Sequence, residues 1–300
     1  MGQGIQPEHQ ERDLSIAAHR AAVLGSPVAH SLSPVLHAAA YRALGLEEWA
    51  YEAIECDEAR LPGMLDSLDP QWAGLSLTRP LKRVVLPLLD HAEPLVGRVG
   101  AANTVILGDA GRAGYNTDVP GMIAALAEAG VSAAPDPVLV LGAGATACSA
   151  LAALRGLGVT EVTVAVRSQA TAGELLAVAG RLGVRVRLTG FGAGPGAGAG
   201  PGDPPGDWQL LISTVPAGAA DQYAALITSG GLRAAAVLDV IYHPWPTRLA
   251  RAAGQAGAVV AGGLELLLHQ AARQVELMTG RTAPVEAMRQ AGRAALLDRG

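Results

Sequence analysis

At 300 residues the chain reaches the size, roughly 250–300 residues, at which one hydrophobic core stops growing, so two domains are expected. Half of the residues are hydrophobic, yet no run of about 18 uncharged apolar residues occurs, which excludes an ordinary membrane-spanning helix. The formal charge of −5 argues against the basic face that nucleic-acid binding requires; two distant cysteines, Cys56 and Cys148, and histidines without metal-ligand spacing suggest neither a disulfide framework nor a metal site, which fits a reducing cytoplasm.

The opening stretch, about residues 1–18, is polar and lacks the apolar segment of a secretory leader; it is expected to be a disordered tail. Ala21–Gly25 predicts a short buried strand. The run SLSPVLHAAAYRALG then predicts a helix with Ser33 as N-cap, Pro34 at the first helical position and Gly45 as the stop. Glu48–Cys56 and Ala73–Thr78 suggest two further strands. Strands alternating with helices indicate an α/β unit with a largely parallel sheet, at about residues 19–119.

A helix-like run from Gly121 to Ala129 ends at Gly130 and leads into a Pro-containing linker. A second domain opens with VLVLGAGATACSALAALRGLG: a buried strand, a glycine turn and an alanine-rich helix. EVTVAVR, VRVRLTG, LLIST and AAVLDVIY follow as strand-like segments, interrupted between Gly192 and Gly206 by a Gly/Pro-rich loop that cannot pack a core. The last predicted helix, Leu264–Thr279, is capped by Gly280 and gathers Leu264, Leu267, Leu268, Ala271, Val275 and Met278 on one face. Gln270 falls roughly 120° from the centre of that face, toward a cleft or toward water.

Gly142-Ala-Gly144-Ala145-Thr-Ala147 matches the G-x-G-x-x-G/A dinucleotide fingerprint between a strand and a helix. Gly142 permits the tight turn, Gly144 lets the backbone approach a pyrophosphate, and Ala147 allows close helix–strand packing. The next strand ends in Arg167-Ser168 and not in an acid, so a guanidinium is available for a 2′-phosphate and NADP is favoured over NAD. Of the 22 basic residues, 21 are arginine and one, Lys82, is lysine. Lysine is the basic side chain that readily donates or accepts a proton.

The segments GSPVAHSLSP, GLSLTRPLK, GAANT with GYNTDVPG, DVIYHPWPT and GGLELLLHQAA occur in an order that resembles the shikimate dehydrogenase family, over about Val23–Thr279. The resemblance implies a substrate-binding α/β domain (19–119 plus about 264–300), a Rossmann-like doubly wound NADP domain (120–263), and a C-terminal helix returning to the first. It implies reversible reduction of 3-dehydroshikimate to shikimate by NADPH, with Lys82 and Asp118 as acid–base pair. Ser31 and Ser33 match ligands of the substrate carboxylate, Tyr242 lies near it, and Thr78, Asn103 and Gln270 match positions that bind its hydroxyls. Ser213, Thr214, Val215 and Gly263 are expected beside the cofactor, with Gly142, Gly144, Ala145, Ala147 and Arg167. Independently of the family, reduction of a ketone needs a proton donor for the developing alkoxide, and a lysine suits that task.

Three departures stand out: Ser76 where the family commonly has Asn, Glu265 where its C-terminal motif often has Met, and Ala145 where many members have a third adjacent glycine. Wider tolerance for quinate or NAD, and a catalytically silent shikimate-sensing module, are the competing readings. The partner implied is a small molecule, with neither nucleic acid nor membrane, for a cytoplasmic monomer or homodimer.

Overall fold

The computed structural model describes residues 18–131, 133–191 and 206–299. Apart from Ala18 and Gly206, the expected tail and the Gly/Pro-rich loop lie outside the described residues.

The first unit runs β1 (His19–Gly25), α1 (Ser33–Ala43), β2 (Trp49–Glu55), α2 (Leu61–Asp66), β3 (Trp72–Leu77), α3 (Leu81–Val84), β4 (His91–Ala92), α4 (Pro94–Val99), β5 (Thr104–Gly108) and β6 (Gly111–Tyr115). α5 (Asp118–Glu128) follows it and buries Met122, Ala125 and Leu126 in the core of the second sheet. The sheet of the first unit has the order β2-β1-β3-β5-β6-β4. β1 pairs in parallel with both β2 and β3, which is why Ala21–Gly25 reads as a continuous apolar run. β4 is parallel to β6 as well, so the sheet is largely parallel as expected; the antiparallel pairings are those of β5, with β3 and with β6.

Two helix starts differ from the sequence pattern. α1 begins at Ser33, and it is Ser31 whose Oγ accepts the Ser33 N–H, at 3.2 Å. α5 begins at Asp118, whose carboxylate bonds away from its own helix end, as described below.

The second unit runs β7 (Val138–Leu141), α6 (Ala145–Gly156), β8 (Glu161–Val166), α7 (Gly173–Leu182), β9 (Arg185–Gly190), β10 (Gly206–Ser213), α8 (Asp221–Thr228), β11 (Leu232–Asp239), α9 (Arg248–Gln255) and β12 (Val259–Ala261). Every neighbouring pair in the order β12-β11-β10-β7-β8-β9 is parallel. The chain leaves β7 in one direction through β8 and β9 and in the other through β10 to β12. The C-terminal ends of β7 and β10 therefore flank the crevice where open α/β sheets bind ligands.

α10 (Gly263–Thr279) then packs back across the first unit, and α11 (Val285–Leu297) follows it. Leu268, Ala271 and Val275 of α10 share a core with Leu36 and Ala40 of α1 and Met288 of α11, whereas Leu266 joins the core of the second sheet. One helix thus touches both cores. Its crossing with α5 is close: a Cβ on Gly121 would lie 2.8 Å from the Gln270 amide nitrogen.

Candidate active site

A cavity of about 280 Å³ opens between the two units, bounded by the β1–α1 loop, the end of β3, α3, the start of α5, the loop after β11, and α10. Ser31, Ser33, Thr78, Lys82, Asp118, Tyr242, Gly263 and Gln270 all face it, and Thr146 of the glycine-rich turn contributes from the second unit.

Lys82 and Asp118 come together on this wall although 36 residues separate them, with Nζ 2.5 Å from Oδ2. The pair is partly buried, with side-chain exposures of 16% and 8%, so it keeps a face toward the cavity while being shielded elsewhere. Asp118 Oδ1 accepts from Asn103 Nδ2 at 2.9 Å. Asn103 itself is fully buried behind the wall; its Nδ2 also reaches Thr117 Oγ1 and Gln270 Oε1, and its Oδ1 accepts the Thr117 N–H at 2.7 Å. It thus stands one hydrogen bond behind Asp118 and Gln270, which line the cavity.

At another part of the cavity wall Ser31 and Ser33 lie at the start of α1, and their loop is pinned by the Val28 N–H to Glu55 Oε2 at 3.0 Å. Burial pushes the Tyr242 phenol above its ordinary value, opposed by Arg299 and by the Leu32 backbone, so its hydroxyl stays a hydrogen-bond donor. Arg299 Nη1 donates to the His30 carbonyl at 2.8 Å beside these groups. Gly263 is required at the start of α10, where a Cβ would lie 2.2 Å from the Val240 carbonyl oxygen.

The dinucleotide fingerprint folds as a strand–turn–helix. Gly142 has φ +106°, and a Cβ there would meet Thr214 Oγ1 at 2.8 Å and Val215 Cγ1 at 3.1 Å, so the glycine turn and the β10 end are in contact. Gly144 is the extended N-cap of α6, with nothing within 4 Å of its absent Cβ, and Ala147 is buried against the sheet. Ala145 starts the helix, Arg167 is exposed at the end of β8, and Ser213 is buried, leaving Thr214 and Val215 to form the surface beside the turn. Free first-turn N–H groups, open space over Gly144 and an exposed guanidinium fit a phosphate-bearing dinucleotide.

The model of the shikimate dehydrogenase substrate binding domain matches residues 23–105, and that of the shikimate 5'-dehydrogenase C-terminal domain matches residues 263–291. A shikimate dehydrogenase (NADP(+)) of Thermus thermophilus is 38% identical over 278 residues, covering 92% of this chain and 98% of the relative. The chain belongs to the shikimate dehydrogenase family. Among solved structures, shikimate dehydrogenase of Mycobacterium tuberculosis is 43% identical with a TM-score of 0.80, covering 92% of this chain and 99% of its own. The Thermus thermophilus shikimate 5-dehydrogenase in complex with NADP(H) and shikimate is 35% identical with a TM-score of 0.78, covering 93% and 100% respectively.

Within this shikimate dehydrogenase-family fold the departures resolve in different ways. Glu265 faces α11, 3.9 Å from Arg289 and 3.6 Å from Arg293, and it is the next residue, Leu266, that lines the cavity. Ser76 lines the cavity and is joined to Tyr51 and Gln274. Gln274 escapes notice in the sequence, although it stands four residues after Gln270, the spacing that brings two side chains to one helix face.

Proposed function

We propose that this chain catalyses the reversible NADPH-dependent reduction of 3-dehydroshikimate to shikimate, with Lys82 and Asp118 handling the proton. The observation that carries this reading is the Lys82–Asp118 pair, 2.5 Å apart on the wall of a cavity lined from both units. Bound NADPH supplies the hydride. When the ketone becomes an alkoxide, the Lys82 ammonium stands ready to give it a proton, and Asp118 holds that ammonium in place. In the reverse direction the neutral amine takes the proton back.

The hydroxyls of Ser31, Ser33 and Tyr242 suit the carboxylate of the substrate, while Thr78 and Gln270 suit its ring hydroxyls. Gly142, Gly144, Ala145 and Ala147, with Thr214, Val215 and Gly263, suit the pyrophosphate and nicotinamide ends of the cofactor, and Arg167 suits its 2′-phosphate. Residues 19–119 with about 264–300 act as the substrate domain and 120–263 as the NADP domain. Two buried free thiols suit a reducing cytoplasm, and the site as described draws on one protomer, as a monomer or as each half of a homodimer.

The test is spectrophotometric: formation of NADPH from NADP with shikimate or quinate, and of NADH from NAD. Turnover with shikimate and NADP is expected, and Lys82→Ala should lower kcat by about 10²–10⁴-fold while shikimate still binds. Comparable rates with quinate or NAD would replace this reading with a broader dehydrogenase. Binding without turnover would replace it with a sensing module.

A further inference from the structure

The cavity wall at Ser76 carries a hydrogen-bond polarity that is set from outside the cavity. Tyr51, on β2, places its hydroxyl 2.6 Å from Ser76 Oγ, and Ser76 Oγ lies 2.9 Å from Gln274 Oε1. The direction of every proton in this chain is fixed by two backbone groups that have no choice of role. The Thr117 N–H donates to Asn103 at 2.7 Å, which makes the accepting atom Oδ1 and turns Asn103 Nδ2 toward Gln270. The Leu267 carbonyl accepts from Gln270 at 3.1 Å, which turns Gln270 Oε1 toward both Asn103 and Gln274. Gln274 therefore offers its Nε2 to Gln270 and to Thr104, 3.0 Å away in each case, and its Oε1 to Ser76. Ser76 must donate its single proton to Gln274, and Tyr51 must donate to Ser76. Burial pushes the Tyr51 phenol above its ordinary value, against the opposing pull of Ser76 and Ser33, so it remains a donor.

A hydroxyl has one proton and two lone pairs. Ser76 spends the proton on Gln274 and one lone pair on Tyr51, leaving one lone pair for the cavity. We infer that Tyr51 is a specificity-determining positioning residue: it fixes Ser76 as a pure acceptor, so that the substrate atom meeting Ser76 must be a hydrogen-bond donor. The inference rests on the proposed shikimate reaction. A ring hydroxyl meets the requirement; a fluorine or a methoxy group on the same carbon does not. Without the Tyr51 hydroxyl the Ser76 proton is free to leave Gln274, which keeps its contact with His37 Nε2 at 3.4 Å, and to turn into the cavity.

The experiment compares Tyr51→Phe, Ser76→Ala and the double variant. Phe retains the stacking of residue 51 on His37, whose ring centroid lies 3.8 Å away. Substrates are shikimate and its analogues in which each non-reacting ring hydroxyl in turn is replaced by fluorine. Wild-type turnover of shikimate with NADP is the control, and its absence would count against the proposed reaction and not against this inference. With that control in hand, Tyr51→Phe should raise KM for shikimate by about 2–10-fold, the effect of one hydrogen bond, with kcat changed less. For one fluorinated analogue the ratio of wild-type to variant kcat/KM should shrink or invert. In the Ser76→Ala background Tyr51→Phe should add nothing to either quantity. An equal effect of Tyr51→Phe on all analogues, or the same effect with and without Ser76, would overturn the inference and leave Tyr51 a packing residue, as would a lowered Tm with unchanged discrimination.

Discussion

His37 lies fully buried, stacked on Tyr51 and edge-on to Tyr41, and burial pushes its imidazole down to about 3, only partly opposed by its hydrogen bond with Gln274. A histidine in the unfolded chain titrates near 6.5. Between these two values the unfolded chain binds one more proton than the folded one at this site, so stability rises with pH there. The folded state is free of this penalty above about pH 6.5 and loses stability as pH falls toward about 3, by at most about 1.4 kcal/mol per pH unit from this residue. His37→Gln should flatten that part of the stability–pH curve, measured by urea unfolding in steps between about pH 4 and 6.5. At the cofactor, Arg167 is exposed at the strand end, and Arg167→Ala should raise KM for NADP more than for NAD; equal effects in paired kinetics would refute a phosphate role. Lys82 and Asp118 are legible in the sequence because one is the chain's single lysine and both sit in distinctive motifs. His37, Tyr51 and Gln274 are not, because their meaning is created by contacts such as Ser76–Gln274, made across 198 residues of chain.

Among elements, α10 does the most positional work, since it begins against the loop after β11 and carries Gln270 and Gln274 past the first sheet. Its first residue has no room for a side chain: Gly263→Ala would press a methyl group into the Val240 carbonyl, an overpacking that should cost about 1–3 kcal/mol in denaturant unfolding and lower kcat/KM. The contrasting change is Gly144→Ala. Nothing lies near that position within the protein, so stability should stay within about 0.5 kcal/mol while KM for NADP rises. β7 to β11 of the second sheet are readable as strand-like segments, as is the glycine turn, whereas β12, three residues long, is not. The β5–β6 hairpin and α11 are not either: GRAGY is a strand with two glycines and an arginine, and only Met288 and Gly292 of α11 are buried, too few to advertise a helix face. Tertiary packing supplies what their local patterns lack. Gly292, for example, lets Leu36 and Leu264 approach to within 3.0 Å of where a Cβ would be.

At the scale of the molecule, residues bounding the cavity belong to both units, and the chain passes between them at β6–α5 and at β12–α10. Two ligands held on facing units favour an arrangement in which both are gripped at once, so NADP and shikimate together should draw the units closer. Small-angle scattering should then give a smaller radius of gyration for the doubly liganded protein than for the free one, and superimposable curves would contradict closure.

The pairing of the chain's one lysine with Asp118 also makes the protein a self-addressed spectroscopic sample. Growth on lysine carrying nitrogen-15 at Nζ would put a single labelled ammonium group in the whole molecule, inside the cavity. One resonance, free of overlap and needing no assignment, would follow the proton on Lys82 through titration, cofactor addition and turnover.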